Sequence, residues 1–165
     1  DNYVVDEETG YMTLYGSGIV TNYLFKKGRL AFDFESINLI GEDWIEFNMW
    51  PNSGNTNFHL HFYANKESNF TCGGSGLNWT QKTFTWTSEQ TNVVKKIEFL
   101  VVNKEEGSNA LVLKLIIDGV EVAVLDNNIT DPYATEPGAP VYFRMHTTNK
   151  ASNFTVKSIT WEPVE

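Results

Sequence analysis

The sequence predicts an all-β fold, an antiparallel sandwich of two sheets, and three observations carry that expectation. Apolar and polar residues alternate in short runs along almost the whole chain. Clusters of turn-forming residues, "KKG", "IGED", "PNSGN", "GGSG", "KEEGSN", "DG" and "EPGAP", separate those runs. No stretch reads as a helix of three turns with a cap at each end. A chain of 165 residues suits one hydrophobic core and has no room for two large ones. Residues 1–165 therefore read as a single domain.

Taken in order, the runs give eleven strands. Met12–Tyr15 and Ile19–Tyr23 open the chain, and "GRLAFDFESI" supplies a long strand over Leu30–Ile37. Trp44–Trp50 and Phe58–Ala64 follow, each alternating apolar with polar or ring-bearing residues. Phe84–Trp86 is short, and Ile97–Asn103 is bounded by lysines on one side and "KEEGSN" on the other. "LKLIIDGVEVAVL" reads as a hairpin, Leu111–Asp118 and Val120–Leu125, turning at the Asp-Gly pair that tight hairpins favour. Val141–Thr147 and Phe154–Trp161 complete the set.

Composition narrows the function classes. Hydrophobic residues make up 41% of the chain, a globular share. The net charge of −9 comes from scattered acidic residues, and the lysine pairs Lys26–Lys27 and Lys95–Lys96 are no footprint for phosphates. Nucleic acid and anionic membranes are therefore not expected partners. No run reaches the roughly 18 apolar residues that span a bilayer. Cys72 is the single cysteine, which excludes an internal disulfide and reads as a buried, unreactive thiol. The chain starts at Asp1 and reads as a mature form or an excised part of a larger multidomain protein. N-x-S/T sequons at Asn69, Asn78, Asn128 and Asn153 fit a secreted eukaryotic protein and equally an Asn-rich bacterial one, and the expected location is secreted, extracellular.

Splitting the strands by face yields the functional candidates. In "WIEFNMW", Ile45, Phe47 and Met49 share the apolar face, leaving Trp44, Glu46, Asn48 and Trp50 opposite. In "FHLHFY", Phe58, Leu60 and Phe62 are apolar, leaving His59, His61 and Tyr63. In "VYFRMH", Val141, Phe143 and Met145 are apolar, leaving Tyr142, Arg144 and His146. An ordinary solvated sheet face carries Thr, Ser, Lys and Glu. This one carries flat rings with amide, imidazole, guanidinium and carboxylate groups, the combination that recognises sugars. Ring faces stack on pyranose C–H surfaces, and planar polar groups read the hydroxyls. The ten residues Trp44, Glu46, Asn48, Trp50, His59, His61, Tyr63, Tyr142, Arg144 and His146 are the candidate ligand-binding set. None is assigned a catalytic or metal-ligating role.

On "GYMTLYGSGIV", "GRLAFDFES", "KKIEFLVVN", "LKLIIDGVEVAVL", "PVYFRMHT" and "FTVKSITWEP", most of the chain resembles the concanavalin A-like, laminin G-like β-sandwich of the carbohydrate-binding module type. The resemblance implies a jelly-roll of two curved sheets, with a polysaccharide or oligosaccharide bound on the concave one. It also implies a structural calcium ion in some members, although no loop here has D-x-[DN]-x-D spacing. The expected function is non-catalytic polysaccharide binding.

Three alternatives share the scaffold. A glycoside hydrolase needs two carboxylates on one face, as in E-x-D-x-x-E, and only Glu46 lies on the candidate face. A polysaccharide lyase would use Arg144, Asn48, His59, His61, Tyr63 and Tyr142, but "QIH"-like and "YFKAG"-like strands are absent. A cupin-like three-histidine metal site would join His59, His61 and His146, with Glu46 or Glu67 as fourth ligand. Four aromatics outside the set are Trp79, left open, Trp86 and Trp161, expected to pack inward, and Tyr133 in a loop.

Overall fold

The computed structural model describes residues 3–16, 18–25, 27–51, 57–74, 77–108, 110–130, 139–147 and 151–164. Within these, the side chains of 18–25, 49–51, 57, 73–74, 77–79, 127–130 and 139–146 are outside the description. Among the described residues thirteen strands form two antiparallel sheets. The strands are β1 (Tyr3–Val5), β2 (Met12–Leu14), β3 (Gly18–Phe25), β4 (Gly28–Asn38), β5 (Trp44–Pro51), β6 (Asn57–Tyr63), β7 (Lys66–Gly74), β8 (Leu77–Trp86), β9 (Lys96–Asn103), β10 (Ala110–Ile117), β11 (Val120–Thr130), β12 (Ala139–His146) and β13 (Asn153–Pro163). One sheet has seven strands in the order β1-β2-β13-β4-β9-β10-β11, and the other six in the order β3-β12-β5-β6-β7-β8. β13, the last strand in sequence, therefore lies between β2 and β4.

The core between the sheets is dominated by phenyl rings. Phe32 and Phe99 of the seven-stranded sheet meet Phe47 and Phe70 of the other. Phe32–Phe47 centroids are 5.1 Å apart, Phe47–Phe99 5.5 Å and Phe70–Phe99 6.1 Å. Leu30, Ile45, Leu60, Phe62 and Leu115 are fully buried around them. These are the inward positions of alternating runs, as binary patterning of a half-buried sheet requires. Trp86 and Trp161 pack against this core in part. Trp86 lies edge-on to Phe62 at 5.9 Å.

The turns follow their residues. Asp118 (φ 49) and Gly119 (φ 79) both take positive φ, the requirement of the tight turn joining β10 to β11. The Asp118 carboxylate accepts the backbone N–H groups of Lys95 and Lys96, each at 2.9 Å, tying this turn to the start of β9. Gly28 is needed for a different reason: a Cβ there would run into the Trp161 indole and the backbone of Glu162.

Three features were not in the sequence expectation, the first being the short strand β1 (Tyr3–Val5) paired with β2. The single helix among the described residues is one turn, α1 (Ser88–Thr91), closed by a reciprocal Thr87–Gln90 capping box. β7 and the first half of β8 occupy "KESNFTCGGSGLNWTQK", where the composition reads as loop. Their alternation is real but muted, since Ser68 takes a core position between Phe70 and the loop. Its hydroxyl, fully buried, accepts the Tyr63 N–H at 2.8 Å, and the burial is thereby tolerated. Among the described residues no helix is long and apolar enough to cross a membrane.

Candidate functional site

β5, β6 and β12 are neighbours in the six-stranded sheet, so the three runs read from sequence share one surface. Directly opposed residues of an antiparallel pair point to the same face, and the register lays them out in rows. Arg144 opposes Asn48, Asn48 opposes His59, and His59 opposes Thr71. In the next row Glu46 opposes His61, and His61 opposes Asn69. Tyr142 opposes Trp50, and Trp44 opposes Tyr63. The same register, continued through the Ile45–Thr147 bridge, sets His146 opposite Glu46. The side chains of Trp50, Tyr142, Arg144 and His146 lie outside the described residues, so these four are placed by backbone alone.

The described side chains pack closely. His59 and His61 stack with ring centroids 4.8 Å apart and planes 26° apart. The Trp44 indole lies 4.8 Å from His61 and stacks on Tyr63 at 5.3 Å and 29°. The Lys66 ammonium sits 5.1 Å over the Tyr63 ring. A column of four rings, Tyr63, Trp44, His61 and His59, thus runs over β5 and β6. The Asn48 amide donates to the Glu46 carboxylate, which also lies 4.0 Å from His61 Nε2. Asn48 is buried, whereas Trp44, Glu46, His59, His61 and Tyr63 keep partial exposure. Burial, with a smaller contribution from the neighbouring imidazole of His61, holds the His59 pKa below the usual histidine value, and Glu46 opposes that shift.

The surface continues onto β7 and β8, of which the sequence reading had only Phe84–Trp86 as a strand and Glu67 as a possible metal ligand. Glu67, Asn69 and Thr71 of β7 face the same way, paired with Thr85, Thr83 and Gln81 of β8. The signal was present as alternation with Ser68, Phe70 and Cys72, but it was masked by the polar composition of the run. Lys66 is likewise a member that composition could not place.

Chemically, the site supplies one central carboxylate. Glu67, the next carboxylate on this face among the described residues, is two strands and two residues away. Strand spacing and rise make that roughly 12 Å between backbones. No group of three or more His, Cys, Asp or Glu among the described residues is placed to hold a metal ion. Clefts of about 490 Å³ beside Lys27, Lys104 and Glu105 and about 330 Å³ beside Trp86, Val93 and Val120 lie away from this face. The described side chains of the β5–β6 surface form a platform of packed rings. Tyr133 and the side chain of Trp79 are outside the described residues.

This architecture is the concanavalin A-like jelly-roll sandwich, and solved structures share it. The chain superposes on the β-glucanase of Bacillus licheniformis with a TM-score of 0.61 at 9% identity, covering 99% of this chain and 83% of that one. The laminarinase catalytic domain of Thermotoga maritima gives 0.61 at 10% identity, covering 100% and 82%. A legume lectin-like domain from Entamoeba histolytica gives 0.57 at 10% identity, covering 99% and 87%. No protein-family model matches the chain, and no curated protein matches it. At these identities the likeness establishes the fold.

Proposed function

We propose that the chain is a non-catalytic carbohydrate-binding domain, taking a polysaccharide or oligosaccharide on the outer face of the six-stranded sheet. The observation that carries this is the ring column beside Glu46 and Asn48. It joins stacking surface to planar hydrogen-bonding groups, and among the described residues no second carboxylate stands in position. A retaining glycosidase needs two carboxyl groups about 5–5.5 Å apart, and an inverting one about 6.5–9.5 Å. The ten residues Trp44, Glu46, Asn48, Trp50, His59, His61, Tyr63, Tyr142, Arg144 and His146 form the binding set in this reading. Asn69, Thr71 and Thr83 extend it toward β8. The reading treats residues 1–165 as one domain, secreted and belonging to a larger protein.

Glucan hydrolysis is the second reading. It is favoured by the glucanase and laminarinase among the structural neighbours and by the central, half-buried Glu46. One experiment separates the two. The protein is mixed with soluble β-1,3-glucan and mixed-linkage β-1,3-1,4-glucan, and both calorimetric binding and release of reducing ends are followed. Binding without product release supports the proposal, and release abolished by Glu46→Gln moves the assignment to hydrolase. Absence of binding to a wider panel of neutral and acidic polysaccharides would remove the carbohydrate reading. Unsaturated ends released from an acidic polymer would indicate a lyase.

A further inference from the structure

A second surface lies at the edge of the seven-stranded sheet. Among the described residues β1 is the end strand there, paired with β2 on one side. Its residues Tyr3, Val4 and Val5 are 52%, 59% and 45% exposed. Edge strands are ordinarily guarded by lysine, proline or a bulge, and exposed β-branched residues at an edge mark a place where another strand can add. Leu14 and Met12, which oppose Tyr3 and Val5, turn to the core. Tyr3 and Val5 therefore lie on the inner side of the sheet, and Val4, opposite Thr13, on the outer side. Both sides of β1 carry apolar surface that water reaches.

The turn that follows β1 fixes which backbone groups face the edge. The Asp6 N–H donates to the Tyr11 carbonyl at 2.9 Å, and the Asp6 carbonyl accepts the Gly10 N–H at 2.8 Å. Both peptide groups of Asp6 thus point at the second arm of the hairpin. These directions alternate with period two along an antiparallel strand, so Val4 also turns toward β2. Tyr3 and Val5 turn their N–H and C=O groups outward. The Asp6 carboxylate holds the turn by accepting the Glu8 and Thr9 N–H groups at 2.9 and 2.8 Å, and Glu7 and Glu8 stand exposed beside it. Residues 1–25 contain four acidic residues, Asp1, Asp6, Glu7 and Glu8, and no lysine, arginine or histidine. Lys157, 5.7 Å from the Tyr11 ring centroid, lies 4.0 Å from the Glu35 carboxylate.

We propose that β1 is a docking edge for an extended, basic segment of a partner protein, which lengthens the seven-stranded sheet by one strand. Tyr3 and Val5 each donate one backbone hydrogen bond to that segment and accept one, and its alternate side chains cover the exposed valines and tyrosine. Lysine or arginine residues beyond the paired stretch meet Glu7 and Glu8, which selects the partner by charge. A second copy of this chain is the poorer occupant. With Val4 opposite Val4 in an antiparallel pair, Glu7 of each copy would face Asp1 of the other, and like charges directly opposed are destabilising. The proposal is independent of what the six-stranded face binds.

The test uses the whole chain and fluorescent probe peptides of alternating valine and threonine, ended by lysine pairs, by glutamate pairs, or by lysine pairs around a central proline. Anisotropy gives the affinities, and NMR follows amide exchange. The lysine-ended probe is expected to bind at least about tenfold more tightly than the glutamate-ended one, by a margin that shrinks as salt is raised. Its binding slows exchange of the Tyr3 and Val5 amides. Val5→Pro removes one outward N–H and leaves the Val4–Thr13 pair in place, and the probe should weaken by about tenfold or more. Glu7→Lys combined with Glu8→Lys leaves the backbone alone and should reverse the preference between the two probes. Failure of the lysine-ended probe to bind overturns the proposal, as does binding that Val5→Pro leaves unchanged or that the proline-centred probe matches. Equal affinity for the two charged probes overturns the basic partner. A concentration-dependent dimer in sedimentation that Val5→Pro abolishes gives the edge to a second copy and likewise overturns it.

Discussion

The two outer surfaces of the sandwich solve the same problem in different ways. On the seven-stranded sheet, charges are answered by opposite charges across strands: Arg29 with Glu98 at 2.5 Å, Lys104 with Asp126 at 2.9 Å and Lys114 with Glu121 at 3.4 Å. Thr13 and Thr155 share a hydroxyl bond of 2.7 Å, and Ser158 donates to Asp33 at 3.2 Å. Half-buried Leu100, Val112, Ile116 and Val124 fill the gaps. On the six-stranded sheet, rings are answered by rings. The first surface is a stable boundary with water, because cross-strand pairs of that kind support a sheet and offer little to a ligand. The second keeps apolar ring surface and planar polar groups half-exposed, which costs solvation and makes sense where something is to be bound.

The comparison can be broken most severely from below. Phe99, 2% exposed, contacts Phe32, Phe47 and Phe70 and so supports both sheets. Phe99→Ala is expected to cost about 3–5 kcal/mol in urea denaturation and to weaken both faces together. The next largest effect belongs to the charged face alone. Arg29→Ala strands Glu98, whose side chain is only 7% exposed, at an expected cost of about 1–3 kcal/mol because Arg29 itself is partly solvated. Glucan affinity should not change, and a parallel loss of binding would show that the faces are coupled.

Trp44→Ala reverses that pattern. It removes the centre of the ring column, and glucan affinity should fall by about tenfold or more while stability falls by no more than about 1.5 kcal/mol. Retained affinity would remove the column from the binding site. The smallest effect is expected at Cys72, where burial pushes the thiol up to about 12. Thiol reagents should leave the native protein unmodified at neutral pH and label one thiol in denaturant. Native labelling would mean that β6–β7–β8 opens readily, and the platform with it.

Much of the fold was legible because it is written in period two. Ile45, Phe47, Phe58, Leu60 and Phe62 are buried to 1% exposure or less, and each was placed inward by alternation alone. The hairpin at Asp118–Gly119 was legible because few other dipeptides tolerate two positive φ angles in succession. β7 was not legible, since Ser68 stands where alternation wants an apolar residue and is accommodated by hydrogen bonds with the backbone of Tyr63 at the end of the neighbouring strand β6. Asn48 was assigned to the outer face and is buried at 4% exposure, because its amide is drawn into the contact with Glu46. The ring column was equally invisible. That Trp44 opposes Tyr63 is a matter of strand register, which alternation within one strand does not contain.

The placement of β13 has a consequence for synthesis. Residues 153–163 pair with β4, some 125 positions earlier in the chain, and with β2. Until they leave the ribosome, β4 and β2 each present an unpaired edge in a sheet whose other half, the meander β9–β10–β11, can already form. Emerging from the N-terminus onward, the chain therefore passes through a long interval with an open slot in the middle of a sheet. Such a slot accepts any compatible strand, including β13 of a neighbouring nascent chain. Folding yield should accordingly depend on chain concentration far more than the mature sandwich's stability does.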